Sequence, residues 1–346
     1  MQALILAGGF GTRLRPLTLN LPKPVVPLVN RPILAYQIEL LKRAGITDII
    51  LSLNYQPDKI VEIIGKGEKY GVKINYVVEP EPLGTAGAVK FAEKLITQTT
   101  VILNGDNLIN LDIAAVAKYH QKQNATTTIV LQSLENPIGY GLVEIDDENR
   151  VLNFLEKPAA ADLTKILTRM VNAGTYVVEP SVLELIPKDE NYSFEYGVFP
   201  ALLKRNENFF AFVDDSYWLD VGTPPRYLQA HQDVIKNRVS GFSGEDFRAE
   251  SEVSATAEIC PYSIIGKNCI IKKGAKIENS VLGENVSVGE NSLVKDSVIL
   301  SETTLGKNVS VTGAIIAKNC KIGNSSSISP QTVLGEASNL TDDSKV

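Results

Sequence analysis

The stretch Leu4–Pro24, LILAGGFGTRLRPLTLNLPKP, concentrates groups that suit phosphate. An apolar strand runs into Gly8, Gly9 and Gly11, followed by Thr12, Arg13 and Arg15, and Lys23 stands between Pro22 and Pro24. Backbone N–H groups and guanidinium forks both match phosphate oxygens. Two common phosphate loops are excluded. The dinucleotide fingerprint needs a third glycine where Leu14 stands, and Arg13, Arg15 and Pro16 do not open a helix. The P-loop needs Gly-Lys-Ser/Thr, which is absent. A tight turn with solvated arginines fits the same residues, so this stretch alone leaves both readings open.

The surrounding elements favour a ligand. Up to about residue 235 strands and helices alternate: strand Ala3–Ala7, helix Pro32–Ala44, strand Ile46–Leu53, helix Asp58–Tyr70, strand Val72–Glu79, helix Thr85–Leu95 and strand Thr99–Asp106. Such alternation predicts a Rossmann-like α/β fold, a mixed and mostly parallel sheet with helices on both faces. Ligands gather at the carboxyl ends of such strands. The glycine loop and the Asn104-Gly105-Asp106 turn both lie there.

Beyond Thr256 the pattern changes. From Ile259 to Leu334 apolar residues recur at a step of six, shortened to five at three places, with Val294, Leu300 and Leu305 among them. A six-residue period is that of a parallel β-helix, each short strand forming one side of a triangular coil. Asn and Gly in Gly-Lys-Asn and Gly-Glu-Asn corners suit positive φ. The expected division is a catalytic domain over 1–236, a polar linker over 237–255, a β-helix over 256–336 and a frayed tail over 337–346.

Composition narrows the partners. A net charge of −6 with no basic block argues against nucleic acid or an acidic membrane. Ala3–Ala7 is too short for a signal peptide and no apolar run approaches a membrane span, so a cytoplasmic protein is expected. Cys260, Cys269 and Cys320 show no metal spacing and read as buried residues of the β-helix. His120 and His231 stand far apart in helical stretches, which argues against a histidine metal site or base.

Taken along the whole chain, the motifs resemble those of the sugar-1-phosphate nucleotidyltransferases. The opening stretch is similar to that family's signature, G-G-x-G-T-R-L-x-P-x-T followed by P-K-P. Glu79–Ala88 resembles its base-recognition segment, Asn104–Asp106 its metal-binding strand end, and Trp218–Pro224 the segment supplying a second metal ligand. Ile138–Gly141, Phe154–Pro158 and Asn172–Tyr176 resemble its sugar and sugar-phosphate segments. The six-residue repeats fit members that carry a left-handed β-helix.

The resemblance implies nucleotidyl transfer: a sugar 1-phosphate attacks the α-phosphorus of a nucleoside triphosphate and pyrophosphate leaves. It places Gly8, Gly9, Gly11 and Thr12 around the triphosphate and Arg13 at the leaving pyrophosphate. Lys23 falls where the two anions meet, and Lys157 at the sugar's phosphate. Asp106 and Asp220 would hold Mg²⁺. Read singly, Asp106 as a cap, Asp220 in a turn or Lys157 as a solvated lysine would serve equally well. The attacking phosphate is already ionised, so no general base is required.

Guanine offers N1–H and an N2 amino group side by side, which a carboxylate accepts together. Glu79 stands five residues before Gly84, where thymidine-using relatives tend to have Gln, so GTP is the expected donor. Leu4, Ala7, Gly84 and Thr85 are expected to complete the nucleotide site. Gly141, Glu156 and Asn172 are expected around the sugar. Mannose 1-phosphate follows from the resemblance alone, because no single residue reports the C2 configuration. Thymidylyl or uridylyl transfer to glucose 1-phosphate is the alternative enzyme, and a nucleotide-sugar-sensing subunit the alternative class. An acyltransferase is disfavoured because residues 256–346 contain no histidine. The β-helix is expected to mediate homo-oligomers.

Overall fold

The computed structural model describes residues 1–158, 168–239, 241–242 and 246–346. The first elements are β1 (Gln2–Leu6), a hairpin of β2 (Pro27–Leu28) and β3 (Arg31–Pro32), α1 (Ile33–Arg43), β4 (Asp48–Leu53), α2 (Pro57–Ile64), β5 (Lys73–Val78) and α3 (Gly84–Phe91). Then come β6 (Thr100–Asn104), β7 (Asn107–Ile109), α4 (Ile113–Lys122), β8 (Thr127–Ser133), β9 (Leu142–Ile145), β10 (Val151–Leu155) and β11 (Met170–Val178). Finally α5 (Phe199–Lys204), β12 (Phe209–Asp214), β13 (Trp218–Asp220) and α6 (Pro224–Ile235) precede the coils.

By internal contacts the chain forms two units, Met1–Gly9 with Leu34–Trp218, and Phe10–Ile33 with Leu219–Val346. In the first, β6, β1, β4 and β5 run parallel, and antiparallel β11 joins β6 to β8 and β9. Leu4, Ile50, Ile102 and Tyr176 fill the core between sheet and helices. Two expected helices stop early. The helix expected over 58–70 ends at Ile64, because Gly65 and Gly67 take positive φ and only a short 3-10 turn follows at Glu68–Tyr70. The helix expected over 85–95 similarly passes into a 3-10 turn at Glu93–Leu95.

In the second unit each full coil is three short parallel strands. Ile265, Leu282, Ile299 and Ile316 pair in succession, a repeat of 17 residues. A 17-residue coil is two sides of six and one of five, which explains the shortened steps. Ile299 is the inward residue and joins the β-helix core, so the expected position of Leu300 in the period is corrected by one. Asn268, Asn285 and Asn308 stand at corners with positive φ, as the Gly-x-Asn pattern requires. One corner carries stacked serines: Ser263 Oγ accepts from Ser280 N, Ser280 Oγ from Ser297 N, and Ser297 Oγ from Ala314 N. The cysteines fit the small-residue reading at Cys269 and Cys320, which are buried, while Cys260 is half-buried.

Two stretches differ from expectation. Ala337–Val346 does not fray: Asn339–Leu340 pairs with Lys321–Ile322, and Val346 exchanges backbone bonds with Ser327 and Ser329. Leu340 also packs on the core, which extends the coil beyond the last six-residue step. The coil also begins inside the stretch read as linker, since Phe247 N donates to Ile265 O and Glu252–Val253 pairs with Ile270–Ile271. Of that stretch, residues 240 and 243–245 lie outside the described residues. Among the described residues no helix is long and apolar enough to cross a membrane.

Candidate active site

In the first unit Gly8 and Gly9, expected at the triphosphate, follow β1 directly. Ala7 N donates to Ser52 O at 2.9 Å, holding the ends of β1 and β4 level. Gly8 sits so close to β4's exit that a Cβ there would lie 3.2 Å from Asn54 N and 3.4 Å from Glu79 Oε1. The expected base-reading carboxylate therefore stands beside the glycine loop. It is buried, with Oε1 accepting from Ser52 Oγ at 2.8 Å and Oε2 from Leu83 N at 3.1 Å. Burial pushes its pKa up, and these two hydrogen bonds pull it back. Leu4 is fully buried among Ile50, Ala86 and Ile102. Its side chain lies in the core, which leaves only its backbone to face a base or ribose. Ala7 is buried at the strand's end.

Gly84 opens α3 at φ +74, and Thr85 follows it. The Thr85 hydroxyl donates to Glu195 Oε2 at 2.9 Å and accepts from Phe194 N at 3.0 Å. Asp106 emerges half-buried from β6. Gly105 N donates to Leu6 O at 2.8 Å, which brings this turn against the end of β1. The turn is braced by Gln37 of α1, whose Nε2 donates to Asn104 O at 2.7 Å and Asn107 O at 3.0 Å.

The expected sugar residues form one cluster. A Cβ at Gly141 would stand 2.6 Å from Glu156 Oε2, and Asn172 N donates to Gly141 O at 2.9 Å. Asn172 lies at a β-bulge of β11, where its Oδ1 accepts from Gly174 N at 2.9 Å. Lys157 is exposed at φ +43 and its Nζ lies 3.1 Å from Glu156 Oε1. Burial raises the Glu156 pKa, Lys157 lowers it, and nearby Glu195 adds a further upward push.

Glu195 and Gln37 were not anticipated from the sequence, and Tyr176 entered only as the end of the Asn172–Tyr176 segment. Glu195 accepts from Ser193 Oγ at 2.7 Å and from Tyr176 OH at 3.3 Å, and Asn172 Nδ2 donates to that same phenol oxygen at 2.9 Å. Ser193 in turn caps the Phe194–Val198 π-turn through Glu195 N and Tyr196 N. A Ser-x-Glu pair at a helix start was the available signal for Glu195. For Gln37 it was a polar residue on the buried Leu34–Ile38–Leu41 stripe of α1.

The second unit gathers the remaining expected residues. Gly11 has φ +61, which favours glycine, and a Cβ there would also come within 3.0 Å of Lys23 Cβ. Thr18 Oγ1 donates to Gly11 O at 2.7 Å and closes the loop. Thr12 and Arg13 follow in a 3-10 turn and are exposed, whereas Lys23 is buried. Both cations converge on one carboxylate: Arg13 Nη2 lies 3.6 Å from Asp220 Oδ2, and Lys23 Nζ lies 3.8 Å from Asp220 Oδ1. Arginine and lysine are both groups that bind phosphate, and here the two lie within ion-pair reach of the same aspartate.

Asp106, in the first unit, and Asp220, in the second, each offer a hard oxygen donor, and the expected site residues include neither thiol nor imidazole. That chemistry fits a hard divalent cation.

Comparison with known proteins follows the same division. The nucleotidyl transferase family model matches residues 2–237, and the model described as EIF2B subunit epsilon LbH (left-handed β-helix) domain matches 247–346. A mannose-1-phosphate guanyltransferase of Yarrowia lipolytica is 42% identical over 233 residues, 66% of this chain but 62% of that protein. The chain thus spans less than two thirds of that relative's length. A mannose-1-phosphate guanylyltransferase of Mycobacterium tuberculosis is 36% identical over 80% of this chain and 76% of its own. The crystal structure of HddC from Yersinia pseudotuberculosis complexed with GMP-PN has a TM-score of 0.58 and 32% identity, covering 67% of this chain and 98% of that one. Nucleotidyltransferases of this family typically need a divalent metal. The chain belongs to the nucleotidyltransferase family, among the sugar-1-phosphate nucleotidyltransferases.

Proposed function

We propose that the protein is a mannose-1-phosphate guanylyltransferase, joining GTP and mannose 1-phosphate into GDP-mannose with release of pyrophosphate. The observation that carries this reading is the convergence of Arg13 and Lys23 on Asp220 within the closed Gly11–Lys23 loop. The names of the Yarrowia and Mycobacterium relatives support the substrates, as does the GMP-PN in the HddC complex.

The chain's groups have separable tasks. Amides of Gly8, Gly9, Gly11 and Thr12 bind triphosphate oxygens. Arg13, exposed at its side chain, neutralises charge growing on pyrophosphate as it leaves. Lys23, buried and fixed, keeps the two anions from repelling one another. Lys157 holds the sugar's phosphate, while Gly141, Glu156 and Asn172 line the sugar. Gly84 and Thr85 shape the nucleotide side, and Glu79 reads guanine through the acceptor capacity left by Ser52 and Leu83. Mg²⁺ would be held by Asp106 and Asp220, and it would supply charge neutralisation at the α-phosphate. Nothing has to remove a proton from the attacking phosphate oxygen.

A cytoplasmic homo-oligomer assembled through the β-helix completes this reading. The end coils support it, because among the described residues the strands Glu252–Val253 and Asn339–Leu340 each pair on one side only. Sedimentation at several protein concentrations tests it, and a monomer throughout would remove it. The test of function is pyrophosphate release over a matrix of nucleoside triphosphates and sugar 1-phosphates. Turnover is expected to be greatest with GTP and mannose 1-phosphate. Nucleotide-sugar binding without turnover would favour a sensor instead.

A further inference from the structure

The segment carrying the two site cations is tied to the β-helix side of its unit at both ends. On one side of Lys23, Asn20 Nδ2 donates to Glu336 Oε2 at 2.9 Å, and Pro16 Cβ lies 3.4 Å from where a Cβ on Gly335 would stand. On the other side, β2 and β3 turn through Val29 and Asn30, both with positive φ. Asn tolerates that conformation; a β-branched valine there is an outlier that surrounding contacts must hold. Those contacts are present. Val29 is fully buried and its N–H donates to Nδ1 of His231 on α6 at 3.3 Å. Tyr227 OH of the same helix donates to Pro27 O. Asn30 Nδ2 donates to Leu282 O at 2.9 Å, a carbonyl that also accepts the coil-to-coil bond from Gly266 N at 2.8 Å. A side chain of the turn thus uses the second lone pair of a β-helix ladder carbonyl. Helix α6 is itself held there, since Gln232 Nε2 donates to Asn279 O at 2.6 Å.

We propose that the β-helix is a holder for the Arg13–Lys23 segment, and that Asn30, through Leu282 O, is a positioning residue for Lys23. The proposal rests on the guanylyltransferase reading for its kinetic test. Between the two ties the chain has little freedom. Lys23 is buried, packed close to Gly11, and aimed at Asp220. Releasing the hairpin lets Lys23 drift, and a small displacement of a group that acts on developing charge is costly in rate. The β-helix then serves the reaction directly, through a carbonyl of its first coils.

Asn30→Gly in the full chain is the test, because glycine keeps the turn's positive φ and removes only the tether. The kcat for GDP-mannose formation is expected to fall about tenfold, with KM for both substrates within about twofold. In a Lys23→Gln background the same change should cost less than about twofold, since the group it positions is already lost. Equal losses in both backgrounds, or an unchanged kcat in the wild-type background, would overturn the proposal. If Asn30→Gly does not fold, the tie at the other end is read instead. Glu336→Ala should lower kcat and Glu336→Gln, which still accepts from Asn20, should restore it; failure of either counts against the holder. A wild-type chain without turnover would sink the functional reading and not this one. Hydrogen exchange then decides: amides of residues 11–26 should exchange faster in Asn30→Gly while the coils stay protected, and unchanged exchange would refute the tether.

Discussion

Replacing Glu79 by Gln isolates base recognition from folding. Glu79 has two structural bonds, one to a hydroxyl that can also accept, Ser52 Oγ, and one to an obligate donor, Leu83 N. A glutamine can keep both, its oxygen facing Leu83 N and its NH₂ facing Ser52. The brace should therefore lose about 1 kcal/mol or less. Recognition of guanine should lose far more. The carboxylate offers acceptors to both N1–H and the N2 amino group; the amide sets a donor against a donor. One lost bond to a charged acceptor, with the opposed donor left unpaired, is worth about 2–4 kcal/mol, or about 30- to 1,000-fold in kcat/KM for GTP. Uracil and thymine present an acceptor beside a donor, so UTP and dTTP should lose little. The assay is initial-rate pyrophosphate release with each nucleotide at saturating mannose 1-phosphate. A GTP-to-UTP ratio unchanged within about threefold would refute the base-reading role. Stability supplies the control. Burial raises the folded pKa of Glu79, so its contribution is fully present below its unfolded value and lost as pH rises through the folded one. The Gln variant should therefore unfold at or above the wild-type midpoint at pH 7, and lose that advantage toward pH 4. A lower midpoint at pH 7 with all nucleotides equally impaired would mean that Glu79 is a brace only.

Three further outcomes follow from the same geometry. Asp106→Asn should remove metal-dependent turnover by at least about 100-fold without shifting the unfolding midpoint; normal rates in the variant would remove Asp106 from the metal site. Asp220→Asn should match it in rate and also lower stability by about 1–3 kcal/mol, because the buried Lys23 loses a carboxylate; urea unfolding reads the difference, and an unchanged midpoint would show that the pair contributes nothing. The fully buried His231 has a pKa lowered to about 3 by desolvation, against 6.5 in the open. Its contribution is present above pH 6.5 and lost as pH falls, at about 1.4 kcal/mol per unit, so wild-type stability should drop between pH 6.5 and 4 and His231→Gln should flatten that slope. Parallel slopes in the two proteins would contradict it.

The readable parts of the sequence were those with a period. Strand–helix alternation gave the sheet, and the six-residue step gave the β-helix, because burial on one side of a repeating unit writes itself into residue order. The misplacement at Leu300 has the same origin: Ile299 and Leu300 are both apolar, and only pairing with Leu282 and Ile316 shows which one points inward. The candidate site residues were chosen through motif order rather than through spacing. Leu4 shows what sequence closeness does not report, because its side chain faces the core although the residue adjoins the glycine loop. Gln37 and Glu195 were hidden for a different reason. Their roles depend on partners tens of residues away, such as Asn104 for one and Thr85 for the other, and the local signal at each marks a polar residue without naming its partner.

The two cations of the opening stretch show how burial divides labour between like charges. Arg13 is 66% exposed at its side chain and Lys23 8%, yet both stand under 4 Å from one aspartate. An exposed arginine can follow a departing group at little cost, because water screens it before and after. A buried lysine cannot move without leaving charge desolvated, so its position is set by the fold around it. In the proposed reaction, folding energy spent on burying Lys23 would return as preorganisation at the point where two anions must meet. On the proposed holder role, the ties at Asn20 and Asn30 would then matter most for Lys23, and altering them should be felt in kcat before it is felt in binding.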